Sequence, residues 1–420
     1  MEPVPQPDLV KNSSGIEDIK CKNEIIAHLI EKLPEKIPKK SKDRILYFLK
    51  ALNRDTIDMT TLKVLAFRGI PEEVKSLRGI VWRLLLNYLP NKATKWIETI
   101  NENKKQYESF REELIIKPQL SMEGEKSNGP EVTEHVVDHP LSVSQDSVWA
   151  QFHKDREIWE EIEKDVKRTR NEIALFVRAI KDEDSAKHWE RLMRQAELKK
   201  SELNAEDKEN YIETHADVLS RILFIHAKLN PGIKYVQGMN EILAVLYFVF
   251  FDTDDPILTE TLESDLFFCF QSIMGEIRDR FCRTLDSEDQ GIKGRIQYLA
   301  DLLKEHDREL FNHLEYYKIN PQFYALKWIM LLLCQDFPIY ETARIWDTLL
   351  SDPERYEFLN YVCLAMLQYI KEDIMEGDFT DAMQALQRFP NDIDVRIILN
   401  KANAFVKEDP IYQNYVGDHF

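Results

Sequence analysis

Glycine is scarce in this sequence, with 12 in 420 residues. A sheet protein of that length needs many tight hairpin turns, and those turns call for residues that accept positive φ, glycine above all. Nucleotide-binding α/β folds need glycine-rich phosphate loops as well. Both architectures are therefore disfavoured, and the apolar pattern points elsewhere. Val74, Leu77, Val81, Leu84, Leu85 and Tyr88 recur at helical spacing, with Pro90 just beyond. Helical patterns follow at 148–168 and at 214–229, the latter stopped by Asn230-Pro231-Gly232. A core helix over 240–251 is expected to open on a cap at Asn240. Further helices are expected at 266–281, 292–304, 321–335, 339–350, 358–372 and 380–387. There is no run of alternating strands and no internal repeat period. The expected fold class is all-α.

A chain of this length exceeds what one core comfortably serves, so one large bilobal domain or two domains is the starting expectation. Residues 1–60 read as an N-terminal extension, partly disordered or helical, with helical pieces at 24–32 and 43–52. The main domain spans 61–405 and a tail covers 406–420. Within the domain, 118–139 is polar and reads as a long loop. Residues 182–210 form a charged insertion that is either helical or disordered.

A formal charge of −18 speaks against a nucleic-acid partner, because phosphate binding wants a basic face. It leaves room for a protein partner with basic patches. Cys21, Cys269, Cys282, Cys334 and Cys363 form no C-x-x-C, and all but Cys21 lie in apolar or helical surroundings. They read as buried free thiols, with neither a disulfide frame nor a metal site. The first residues show no secretory signal pattern. The longest apolar run, Ile242 to Phe251, is about half of the roughly 20 residues that a membrane span requires. The chain is accordingly expected to be cytoplasmic, without direct membrane insertion.

No phosphate-binding loop, dinucleotide fingerprint, zinc-protease motif or nucleophile elbow is present. Two other segments stand out. In the first, Ile158, Trp159, Ile162, Val166 and Thr169 fall on one stripe when projected at about 100° per residue. Asp165 lies at the stripe's edge and Arg168 one step further out, three residues apart and so able to pair. The pair can be a solvated surface contact, or it can be an arginine held rigid and presented outward. The second segment, Tyr235-Val-Gln237-Gly238-Met239-Asn240, sets a glutamine in a turn where Gly238 allows close backbone approach. Gln237 can be a polar residue at a helix start, or an amide that accepts from a water while donating to an oxyanion. Tyr235 and Met239 read as packing residues.

Taken together in this order, Ile162-x-x-Asp165-x-x-Arg168-Thr169 and Tyr235-x-Gln237-Gly238-Met239 resemble the two finger motifs of TBC-domain (Tre-2/Bub2/Cdc16) GTPase-activating proteins. Arg68-Gly-Ile-Pro71 with Arg78 and Trp82 resembles that family's opening motif, and Ala343-Arg344-Ile345-Trp346-Asp347 its C-terminal half. Asp138-His139-Pro140-Leu141 and Glu376-Gly-Asp-Phe379 are similar to the compact member 13 subgroup. The fingers lie 69 residues apart, longer than in compact members, with the 182–210 segment as the excess.

The resemblance implies a V-shaped, bilobal helical domain that activates a Rab-family small GTPase in its GTP-bound state and so regulates vesicle trafficking. Arg168 and Gln237 would be the catalytic fingers. Asp165 would hold Arg168 in its productive rotamer, with Tyr235 and Gly238 in support, while Arg78, Trp82, Trp346 and Asp347 brace the lobe. The partner would carry GTP and Mg²⁺, this chain binding no cofactor or metal of its own, and membrane contact would come through the partner. A non-catalytic Rab-binding scaffold is the alternative that the same motifs leave open.

Overall fold

A computed structural model describes residues 23–34, 36–114, 148–170, 173–177, 214–281, 291–390 and 392–416. The polar stretch at 118–139, the insertion at 182–210, the Asp138–Leu141 motif, Cys21 and Cys282 lie outside the described residues. Among those described the backbone is helical and forms no strand; Thr56 and Lys92 make an isolated antiparallel bridge.

The first half contains α1 (Glu24–Glu31), α2 (Lys39–Leu52), α3 (Met59–Phe67), α4 (Leu77–Leu85), α5 (Trp96–Leu114), α6 (Val148–Val166), α7 (His215–Leu229), α8 (Met239–Phe251), α9 (Pro256–Glu260) and α10 (Leu262–Glu276). The second contains α11 (Ile292–His306), α12 (Arg308–Tyr316), α13 (Gln322–Met330), α14 (Ile339–Ser351), α15 (Phe358–Tyr369), α16 (Lys371–Glu376), α17 (Phe379–Gln387), α18 (Val395–Phe405) and α19 (Gln413–Val416).

The hub is α8, whose sequence is apolar on every side and whose residues from Met239 to Tyr247 are all buried. It packs against α4, α6, α7, α10 and α14. In turn α14 rests on α3, α4 and α18, so the two halves share one continuous core. Within the first half, buried Arg83 of α4 donates to buried Asp265 of α10 at 2.8 Å, and Tyr88 adds its hydroxyl. The described part of 1–60 belongs to this core, with Ile25, Ile26, Ile45, Phe48, Leu49 and Leu52 fully buried.

Helix starts follow local chemistry. Asn23 caps α1 by accepting from Ile25 and Ile26 N–H. Thr214 and Asp217 form a reciprocal capping box on α7, and Asp378 and Asp381 do the same on α17. Several boundaries differ from the sequence expectation: the helix expected over 266–281 runs Leu262–Glu276, and that expected over 358–372 ends at Tyr369. The helix expected over 321–335 ends at Met330, because Leu332 and Leu333 take left-handed φ of +51° and +62°. The core helix begins on Gly238, and Asn240 is inside it, not its cap. Cys269, Cys334 and Cys363 are buried free thiols, and burial raises the pKa of each. No described helix is long and apolar enough to cross a membrane.

Candidate functional site

Two turns carry the singled-out residues. The first follows α6. Ile162 and Val166 are buried, as the helical stripe requires, but the helix stops at Val166 and residues 167–170 turn. Arg168 is exposed within that turn, and Thr169 beside it is buried to 1%. Arg168 N–H and Thr169 N–H donate to the carbonyls of Asp165 and Val166, both at 3.0 Å, so the chain closes tightly as it leaves the helix.

The second turn precedes α8. Gln237 is exposed, with buried Tyr235 and Gly238 on either side of the Val236-Gln237 pair. Gly238 sits at φ +103°, in the region that favours glycine. A Cβ there would stand 2.5 Å from Leu331 Cδ2, at the end of α13. The turn therefore needs glycine both for its backbone and for its closeness to the second half.

A buried polar network joins the two turns. The Tyr235 hydroxyl lies 2.8 Å from Asp165 Oδ2 and 3.1 Å from Asn240 Oδ1. Asn240 Oδ1 also accepts the Gly238 N–H at 3.1 Å. Its Nδ2 donates to Thr169 Oγ1 at 2.8 Å, and the Thr169 hydroxyl in turn donates to the Asp165 carbonyl at 3.0 Å. Every donor in this chain finds an acceptor, as a network with little water access requires. Burial, with Asp165 adding to it, pushes the Tyr235 phenol pKa upward, so Tyr235 stays protonated and donates.

The direct Asp165–Arg168 pair expected from their spacing is not formed. Asp165 turns toward Tyr235, and Arg168 has no ion-pair partner among the described residues. Helix ending explains this: three residues of spacing bring side chains together only while the helix continues. Asp165 thus acts on the second turn, through Tyr235. By pattern alone Tyr235 reads as packing, with a supporting role only through the family resemblance; Asn240 reads as a helix cap and Thr169 as part of the stripe, so neither is visible as a linker. Their signal was a threonine on the apolar stripe and an amide at the entry of an apolar helix.

The remaining motif residues meet some way off. Asp347 of α14 is fully buried and accepts from Ile70 N–H at 2.9 Å, Trp82 Nε1 at 2.8 Å and Arg78 Nε at 3.1 Å. Trp82 and Trp346 stack with ring centroids 5.7 Å apart. Burial works against the Arg78 charge, but Asp347 and Glu72 outweigh it and hold the pKa raised. These four residues fasten α4 to α14.

A concavity of about 870 Å³ is lined by Lys75, His215, Tyr247, Phe251, Asp254 and Glu263 among others, and includes neither Arg168 nor Gln237. No group of three or more His, Cys, Asp or Glu among the described residues is placed to hold a metal. The two exposed side chains stand on braced turns outside this concavity.

Known proteins resemble this chain in sequence and in fold. The family model described as the Rab-GTPase-TBC domain matches residues 181–375, which include Gln237 and the Trp346-Asp347 motif, while Arg168 precedes the matched stretch. A TBC domain-containing protein of Schizosaccharomyces pombe is 30% identical over 453 residues, covering 86% of this chain and 72% of that protein. The chain belongs to the RabGAP-TBC family. Within it, human TBC1 domain family member 13 is 38% identical over 392 residues, covering 86% of this chain and 97% of the relative. The crystal structure of the Ypt/Rab-GAP domain of Gyp1p shares the fold, with a TM-score of 0.62 over 87% of this chain and 97% of that one, at 24% identity.

Proposed function

We propose that this chain accelerates GTP hydrolysis by a Rab-family small GTPase, supplying Arg168 and Gln237 in trans. One observation carries the reading: two exposed side chains leave adjacent turns that a single buried network holds together. Family membership and the relatives' names support the coarser statement, a Rab-directed GTPase-activating domain.

The partner, in its GTP-bound state, brings nucleotide and Mg²⁺. Arg168 suits charge that spreads over phosphoryl oxygens during transfer, because a guanidinium is planar, permanently charged and weakly hydrated. Gln237 can accept a hydrogen bond from the attacking water and donate one to a phosphoryl oxygen, standing in for the partner's own glutamine. Asp165, Tyr235, Asn240 and Thr169 hold the two turns in one relative geometry, and Gly238 lets the second turn lie against Leu331. Acting on a Rab, the protein would regulate vesicle trafficking from the cytoplasm and reach trafficking membranes through its partner.

A finger arginine given in trans is worth about 10³ to 10⁵ in rate, roughly 4 to 7 kcal/mol of barrier. Single-turnover hydrolysis across a panel of GTP-loaded Rab proteins tests the reading, with wild type, Arg168→Ala and Gln237→Ala side by side. Acceleration of one or a few Rabs, lost in both variants with helicity and melting midpoint retained, is the expected result. Binding of GTP-loaded partner without acceleration, and no capture of partner loaded with GDP and a transition-state mimic, would establish a scaffold instead.

A further inference from the structure

Arg170 follows two residues after Arg168, yet its side chain goes inward and is 9% exposed. Its backbone takes φ +46°, a left-handed conformation that a residue with a Cβ adopts at a cost and keeps only where its surroundings impose it. Two contacts with other parts of the fold hold the side chain there. Nε stands 3.3 Å from Glu241 Oε2, whose side chain is 11% exposed. Nη1 donates to the Phe337 carbonyl at 3.1 Å.

These partners belong to different parts of the fold. Glu241 directly follows Asn240 in the first turn of α8, the helix that carries the Gln237 turn at its start. Phe337 lies between α13 and α14, in the second half, beside buried Asp336, whose charged form also feels Arg170. Arg168 therefore stands in a turn pinned on both flanks. Before it, Asp165 is tied to Tyr235; after it, Thr169 is tied to Asn240 and Arg170 to Glu241 and Phe337. A planar guanidinium with donors on several edges can span two such acceptors, whereas a lysine ammonium is a single point.

We propose that Arg170 is a positioning residue, clamping the turn to α8 and to the α13–α14 connection so that Arg168 leaves the fold in a fixed direction. This rests on Arg168 acting in trans, but the clamp itself can be read without any partner.

Amide hydrogen exchange by mass spectrometry on the full chain is the experiment, comparing wild type, Arg170→Met and Glu241→Gln over the peptide 163–170. The clamp predicts exchange about tenfold faster or more in that peptide for both variants, with protection elsewhere and the melting midpoint unchanged. Unchanged exchange in the turn overturns the proposal. Faster exchange spread through the whole chain overturns it too, since Arg170 would then be general support. Should Arg170→Met fail to fold, Glu241→Gln decides alone, because glutamine keeps the shape and removes the charge.

Hydrolysis supplies the second arm. Arg170→Met should lower the maximal accelerated rate while leaving half-saturation by partner unchanged, and should cost nothing further in an Arg168→Ala background. Full additivity in that background overturns the proposal. If wild type accelerates no Rab, the activator reading fails while the exchange result still judges the clamp.

Discussion

At Gly238 the backbone angle and the crowding by Leu331 make separate demands, and substitutions can part them. Gly238→Ala asks an L residue to hold φ +103° and to place a methyl 2.5 Å from Leu331 Cδ2. The side-chain tip can swing away, but the backbone angle cannot be relieved without moving Gln237. Gly238→Ala should therefore cost about 1–3 kcal/mol of stability, read by urea unfolding. It should also slow accelerated hydrolysis by up to about 100-fold, since a finger displaced by an ångström loses that much. Adding Leu331→Ala removes the contact but not the angle, so the double variant should recover little activity. Recovery to the wild-type rate would show that crowding alone set the need for glycine.

Between elements, Asp347 does for α4 and α14 what Asn240 does for the two turns. Three donors from the α4 region converge on one fully buried carboxylate of α14. Asp347→Ala strands the Trp82 indole and the Ile70 amide and leaves a largely buried Arg78 with only exposed Glu72 to balance its charge, and should cost about 3–5 kcal/mol, measured by thermal or urea unfolding. Activity and helical content should be lost together, unlike in Arg168→Ala, where activity alone goes. Loss of activity in Asp347→Ala with the unfolding midpoint unchanged would move Asp347 from brace to site. Arg78, Trp82, Trp346 and Asp347 were legible as a structural motif through the family resemblance, and α7, α8, α14 and α17 were legible from their apolar patterns. The helices α5, α12 and α18 were not: α5 and α12 carry charged faces with few apolar positions, α18 is only 11 residues long, and burial against α10, α11 and α15 defines them. Arg168 and Gln237 were legible as motif residues, and both are exposed. Their linkage was not, since Tyr235 and Asp165 are 70 residues apart and Asn240 and Thr169 71 apart, and only the packing of α6 on α7 and α8 brings them together.

For the molecule as a whole, buried titratable groups tie stability to pH, and two of them pull in opposite directions. His226 on α7 is 2% exposed, contacts Gln271 Oε1 through Nδ1 at 2.6 Å, and packs edge-on to Phe270. Burial, opposed only by Gln271, lowers its pKa to about 4. Folding therefore favours the neutral imidazole. Its contribution is complete above the unfolded value near 6.5 and is lost as pH falls through about 4. Asp352 behaves oppositely: burial raises its pKa to about 6, although the Phe358 N–H, the Tyr412 hydroxyl and the Glu354 N–H resist that shift. Its contribution is complete below about 3.8 and is lost as pH rises through about 6. The windows overlap, so the net pH profile of wild type cannot isolate either group, whereas the difference between wild type and one variant can. His226→Gln removes the imidazole and leaves Asp352 in place. The unfolding free-energy difference between wild type and His226→Gln should accordingly shift by about 3 kcal/mol between pH 7 and pH 4, wild type losing relative stability as the solution acidifies. A difference that stays flat across that range would mean that His226 is as easily protonated in the folded chain as in the unfolded one, through water entry or movement of α7 away from α10.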